Sequence, residues 1–212
     1  MNLTSPVWKT PPEVLHALGK SSFRRDGQGD LQHERDNEGM ISDPNIESAS
    51  KYRIFPADRA EHVETVRSLF ARYADALDFD LDFQDFDREL DTLPGAYAPP
   101  GGALILAESN RRPVGCVGVR PLENDICEMK RLYVEPEARG LHFGRRLARA
   151  SIEAARRIGY RYMRLDTIGS MGEAIALYRS LGFQEIPAYR PNPIPSARYF
   201  ELDLERIPLD DD

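Results

Sequence analysis

Met129-Lys130-Arg131-Leu132-Tyr133-Val134-Glu135-Pro136-Glu137-Ala138-Arg139-Gly140-Leu141-His142-Phe143-Gly144-Arg145-Arg146-Leu147 is the stretch on which the reading of this chain turns. It opens as a strand, turns at Pro136 and enters a helix start that contains glycine. A helix N-terminus exposes unpaired backbone N–H groups and the positive end of the peptide dipole. Small residues there let a phosphate approach the backbone closely. On geometry alone the segment is a candidate pyrophosphate cradle, and equally a strand–helix turn in which glycine serves only as a cap.

Outward from it the periodicity is regular. Tyr52-Arg53-Ile54-Phe55 reads as a short strand, and residues 58–78 place Val63, Val66, Phe70, Tyr73 and Leu77 at helical spacing. A second short helix fits 82–93, with Phe83, Phe86 and Leu90 on one face and Pro94-Gly95 ending it. Ala103 to Ala107, Val114 to Val119 and Ile126 to Val134 are successive strands with short turns, an antiparallel meander. A long helix then runs from about Gly140 to Ile158, with Gly159 as its C-terminal cap. Tyr162 to Asp166 is the next strand, so strand, helix and strand imply a parallel crossover. Ser170 and Glu173 suggest a capping box for a helix ending at Leu181. Phe183 to Ile186 and Tyr199 to Leu204 are the last strands, separated by the proline-rich loop Pro187 to Pro195. The expected class is α/β, with a mixed, mostly antiparallel sheet and flanking helices.

Residues 1–50 have a different texture, polar and without sustained period, and read as a flexible N-terminal extension to a folded domain over 51–212. The chain has 212 residues, of which 41% are hydrophobic, enough for one real core. No apolar run approaches the ~20 residues of a membrane span, and the N-terminus lacks a basic-then-apolar leader. Two cysteines, Cys116 and Cys127, exclude a disulfide scaffold and point to reduced core thiols in a cytoplasmic protein. A net charge of −7 argues against nucleic acid as a partner. His16, His33, His62 and His142 are dispersed and form no ligand pair with a cysteine, so no metal is expected.

The opening stretch resembles the acetyl-CoA-binding motif of the GNAT family of N-acetyltransferases, (Arg/Gln)-x-x-Gly-x-(Gly/Ala). Arg139, Leu141, Phe143 and Gly144 fit that frame, and Gly140 is also common there. His142 stands where the family usually has the middle glycine. A second block, Ala174-Ile175-Ala176-Leu177-Tyr178-Arg179-Ser180-Leu181-Gly182-Phe183, resembles the family's Ala-x-x-Leu-Tyr-x-x-x-Gly-Phe signature. Many members carry asparagine seven residues before that tyrosine; here the position is Met171. The resemblance covers about residues 51–204.

It implies a GNAT-type sheet with one splayed parallel strand pair that receives pantetheine as if it were a strand. The cofactor site would comprise Leu132, Tyr133 and Val134 on the strand and Arg139, Gly140, Leu141, His142, Phe143, Gly144 and Arg145 around the helix start. Leu132 N–H would polarise the thioester carbonyl. Tyr178 would protonate the CoA sulfur. Glu128 occupies the place of a glutamate base in histone-acetylating members, and is equally read as a structural ion pair, with nearby Lys130 as its partner. The reaction implied is acetyl transfer from acetyl-CoA to a primary amine of a small molecule or peptide. Family members are often homodimers. A non-catalytic acyl-CoA sensor and a partner-binding module stand as alternatives.

The charges are segregated. Residues 139–164 hold eight arginines and one acid, Glu153, a local charge of +7 around the proposed cradle. Residues 75–91 hold eight acids against Arg88 alone. This acidic segment is expected to wall the acceptor site and attract a cationic amine, with Phe83 or Phe86 lining the pocket. An ordinary solvated helix face is the other reading of the same charges.

Overall fold

The computed structural model describes residues 51–79, 81 and 84–206. The extension over 1–50 and Phe83 therefore lie outside the described residues. Seven strands, β1 (Tyr52–Pro56), β2 (Ala103–Ser109), β3 (Arg112–Glu123), β4 (Ile126–Val134), β5 (Tyr162–Ile168), β6 (Gln184–Ile186) and β7 (Ala197–Asp203), form one sheet. Their order is β1-β2-β3-β4-β5-β7-β6. Only β4 and β5 are parallel; the other neighbours are antiparallel.

Four helices cover the sheet: α1 (Ala60–Asp75), α2 (Phe86–Asp91), α3 (Phe143–Ile158) and α4 (Gly172–Ser180). The apolar stripe of α1 buries Val66, Leu69 and Phe70 on one face with Leu106 and Cys116. That of α3 buries Phe143, Leu147, Ala148 and Ile152 on the other, where α4 adds Ile175 and Tyr178. Close approach is needed where Tyr97 meets the sheet on the α1 face. A Cβ on Gly118 would lie 2.5 Å from the Tyr97 ring, so glycine lets that ring pack directly on β3.

Several expected boundaries move. Helix α2 is six residues long rather than twelve. The helix expected from Gly140 starts at Phe143, after a 3-10 turn over Pro136–Ala138. The Ser170–Glu173 capping box does not form: α4 starts one residue late, Met171 occupies the cap position, and no side chain caps it. Cys116 and Cys127 are buried free thiols, and burial pushes the Cys127 thiol up to about 12.

The decisive local feature is a bulge in β4. Cys116 pairs with Tyr133 but Gly118 pairs with Lys130, so β4 holds one residue more than β3. Arg131 takes the strain, with φ of 57°. The extra residue inverts the alternation. Met129, Leu132 and Val134 pack on the α3 face, while Tyr133 joins the α1 face. Glu128, Lys130, Leu132 and Val134 do not, as simple alternation requires, share one face.

Candidate active site

Past Glu128, and before the bulge, the sheet opens. β4 and β5 pair only at Ile126–Tyr162, Cys127–Met163 and Glu128–Arg164, and then part. Leu132 has no register partner on β3 or on β5. A cleft lies between the separated ends, with Leu132, Thr167, Ile168, Met171, Ala174 and Tyr178 on its walls. Tyr178 is anchored edge-on against Phe183, with ring centroids 5.8 Å apart. Burial, with Tyr73 and Asp166 nearby, pushes its hydroxyl far above the usual phenol range.

The N-terminus of α3 follows the strand end. The first helical hydrogen bond runs from the Arg146 N–H to the His142 carbonyl at 3.1 Å. The N–H groups of Phe143, Gly144 and Arg145 thus precede the helical ladder and are available to a ligand. Gly144 is half-buried between Val134 and Leu177. Phe143 is core, edge-on to Tyr52 at 5.4 Å. Gly140, Leu141 and His142 are exposed, and Leu141 is the large apolar side chain most open to solvent among the described residues. Arg139 donates to the Val134 carbonyl at 3.3 Å and Arg145 to Ser180 Oγ at 2.9 Å. The Tyr133 side chain points away from the cleft, and its hydroxyl donates to Glu135 at 2.9 Å.

His142 is not a helical residue. It caps α3 with φ of 62°, the left-handed conformation that explains why glycine suits this position. His142→Gly is expected to raise the unfolding free energy by about 1 kcal/mol. The urea midpoint measures it, and an unchanged or lower midpoint would count against the strain.

The proposed base and acceptor wall lie elsewhere than expected. Glu128 is fully buried and absent from the cleft walls. Its carboxylate accepts from Arg120 at 3.0 and 2.8 Å and from the Tyr189 hydroxyl at 2.7 Å, and Arg190 lies at 3.1 Å. Burial alone would raise this carboxyl, but Lys130, Arg190 and Arg120 hold it below the usual range. Lys130, expected as its direct partner, instead donates to Gln84 at 2.8 Å and Asp166 at 3.3 Å. Phe86 is buried under the Arg131 guanidinium, 4.9 Å from its ring, and does not line the cleft. Of the acidic segment, Asp75, Asp78, Asp85, Asp87 and Asp91 are exposed away from the cleft. Among the described acids of the segment Glu89 is the inward one, and Arg131 clasps it at 3.1 and 2.8 Å. The carboxylate that does reach the cleft is Asp166, already held by Arg190 at 2.5 Å and Asn192 at 3.2 Å.

Sequence reasoning missed Lys130, Asp166, Gln84, Tyr189, Arg190 and Asn192 as one assembly. One signal was present: charged Glu128 and Lys130, two apart in a central strand, had to be buried and partnered. Because Glu89, Glu128 and Asp166 are all held below their ordinary range, the unfolded chain binds more protons than the folded one as acid is added. Stability contributed by these groups is present above about pH 5 and lost below it. The urea midpoint should be flat from about pH 7 to 5 and fall steadily at lower pH; a midpoint independent of acid would contradict the ion-pair assembly.

The comparisons agree with the geometry. The family described as Acetyltransferase (GNAT) family matches residues 63–183. An uncharacterized N-acetyltransferase of Schizosaccharomyces pombe is 36% identical over 148 residues, 69% of this chain and 91% of its own. In fold, the chain is similar to an acetyltransferase of the GNAT family from Staphylococcus aureus, with TM-score 0.60, 23% identity, and 72% and 99% of the two chains covered. It is also similar to yncA of Salmonella typhimurium, solved with its cofactor acetyl-CoA, with TM-score 0.53, 20% identity, and 76% and 98% covered. Among the described residues no group of histidine, cysteine and acidic side chains is placed to hold a metal ion, and no helix is long and apolar enough to cross a membrane.

Proposed function

Because the chain belongs to the GNAT family of acetyltransferases, we propose that it transfers the acetyl group of acetyl-CoA to a primary amine in the cleft between β4 and β5. The observation that carries this reading is the parting of the two strands after three paired residues, which leaves Leu132 without a strand partner beside Tyr178. A backbone left unpaired in this way suits the extended arm of the cofactor.

The residues present fit that ligand. Leu132, Tyr133 and Val134 would offer backbone groups to the pantetheine arm. The N–H groups of Phe143, Gly144 and Arg145 would hold the diphosphate, with Arg139, Gly140, Leu141 and His142 forming the turn around it. When bound, acetyl-CoA supplies the activated thioester and its thiolate leaving group. The amine nitrogen forms the new C–N bond, the C–S bond breaks, and the nitrogen gives up one proton to water. The Tyr178 hydroxyl gives its proton to the departing sulfur and is reprotonated from solvent. A phenol raised by burial stays protonated at neutral pH, as this role requires. Donors aimed at the forming oxyanion lower the barrier further.

A thiol-release assay with acetyl-CoA across amine classes tests the reading. Amine-dependent release of CoA is the expected result. Binding of acetyl-CoA with no release in the presence of any amine would overturn it.

A further inference from the structure

The cleft has a second end, and its chemistry bears on the acceptor. Among the described residues, four cations, Arg120, Lys130, Arg131 and Arg190, face three carboxylates: Arg120, Glu128, Arg190, Asp166 and Lys130 form one chain of contacts, and Arg131 with Glu89 is a separate pair beside it. Arg131 and Glu89 close on each other, and Arg120 takes Glu128 by two hydrogen bonds. Arg190, from the loop between β6 and β7, bridges Glu128 and Asp166. Lys130 is the cation left without a carboxylate of its own. Its ammonium shares Asp166 with Arg190 and Asn192 and otherwise meets a neutral amide oxygen of Gln84.

Lys130 is also the unbalanced charge that lines the cleft, beside Arg131 and the amides of Gln84 and Asn192. This end of the wall is therefore rich in donors, and the single carboxylate that lines it among the described residues is already capped. Beside them the cleft is lined by apolar side chains, Phe79, Leu81 and Ile194. Lys130 and Leu132 line the same cleft, on either side of the bulge, so a charge met by Lys130 belongs to the same small molecule whose amine reacts near Leu132.

Resting on the acetyl-transfer reading above, we propose that the acceptor is an apolar α-amino acid, with its carboxylate bound by Lys130 and its side chain against Phe79, Leu81 and Ile194. The anion supplies the missing countercharge in a cluster that, among the described residues, is one cation in excess. The groups around Lys130 support this. Burial pulls its amine down to about 8, Glu128 and Asp166 oppose that, and Arg131 and Arg190 reinforce it. Gln84 and Asn192 add no charge. An arriving carboxylate returns Lys130 to its charged form, so binding takes up a proton just above that pH.

Leucine and isoamylamine share a side chain and differ in the carboxylate. In the thiol-release assay, kcat/KM for leucine should exceed that for isoamylamine by about tenfold or more. Lys130→Met should erase the ratio. Equal or better use of isoamylamine overturns the carboxylate while leaving acetyl transfer standing, and so does a variant that keeps the preference. Failure to bind acetyl-CoA at all would instead sink the acetyl-transfer reading, and this one with it. A measurement independent of the variant's folding uses 4-methylpentanoate, which titrates nowhere near pH 8.5. Titrated into CoA-saturated protein at that pH in two buffers of different ionisation enthalpy, it should bind with uptake of most of one proton. No binding, or binding without proton uptake, overturns the proposal.

Discussion

Tyr178→Phe is expected to lower turnover about a hundredfold while leaving the Kd for acetyl-CoA within about twofold. The ring is a structural part of the core, packed against Phe183 and Phe200, and phenylalanine preserves those contacts. What the substitution removes is one hydroxyl on the cleft wall, which carries its proton at neutral pH and which burial shifts further from ionisation. A leaving thiolate then has to take its proton from water. The separation of kcat from binding is the informative part. An unchanged kcat would remove Tyr178 from the chemistry, and a matching rise in Kd would make it a packing residue. The thermal midpoint should move little, because the ring contacts that hold this side chain in the core are kept.

Glu128→Ala should cost about 3–5 kcal/mol of stability, the largest loss expected from one change in the ion-pair assembly. The reason is asymmetry. Glu128 is fully buried, and removing it strands Arg120 without its countercharge, leaves Arg190 with Asp166 alone, and leaves the Tyr189 hydroxyl without its acceptor. The loop over Pro187 to Pro195 is tied to the sheet through these bonds, so it should loosen first. Glu128→Gln separates the two roles open to this residue. We propose that it is an anchor: the amide should lower the urea midpoint clearly and leave kcat of the folded enzyme within about threefold. A loss of a hundredfold in kcat at unchanged stability would restore it as the base.

Much of the fold is legible in the sequence because its signals are local. The span of β4 is found as read, Ile126–Val134, since an apolar-rich run between turn residues needs no distant information. Gly159 ends α3 with φ of 104°, as a glycine after a helical stripe predicts. The chain order of meander, crossover and final hairpin follows from loop lengths and the handedness of the crossover. Phe86 shows where this reasoning stops. Its spacing marks an apolar face on a short helix, but spacing is silent on whether that face looks into a pocket or, as here, onto the guanidinium of Arg131.

What the sequence by itself determined is the kind of protein: the element order, the cradle-like start of α3, and the two motifs around Gly144 and Tyr178. These rest on periodicity, capping and glycine, which act over a few residues. Tertiary structure decided the site's chemistry. One extra residue at Arg131 inverts the side-chain alternation of β4, and alternation alone does not reveal a bulge. Arg190 meets Glu128 across 62 positions of sequence, and Gln84 meets Lys130 across 46. Electrostatic pairing depends on distance in space and on burial, so the charges of an acidic segment and a basic helix did not tell which of them would face the cleft. The folded sheet chose Lys130 and Asp166 because its parted strands expose them together, while the exposed aspartates before α2 remain in water, where their charge is screened.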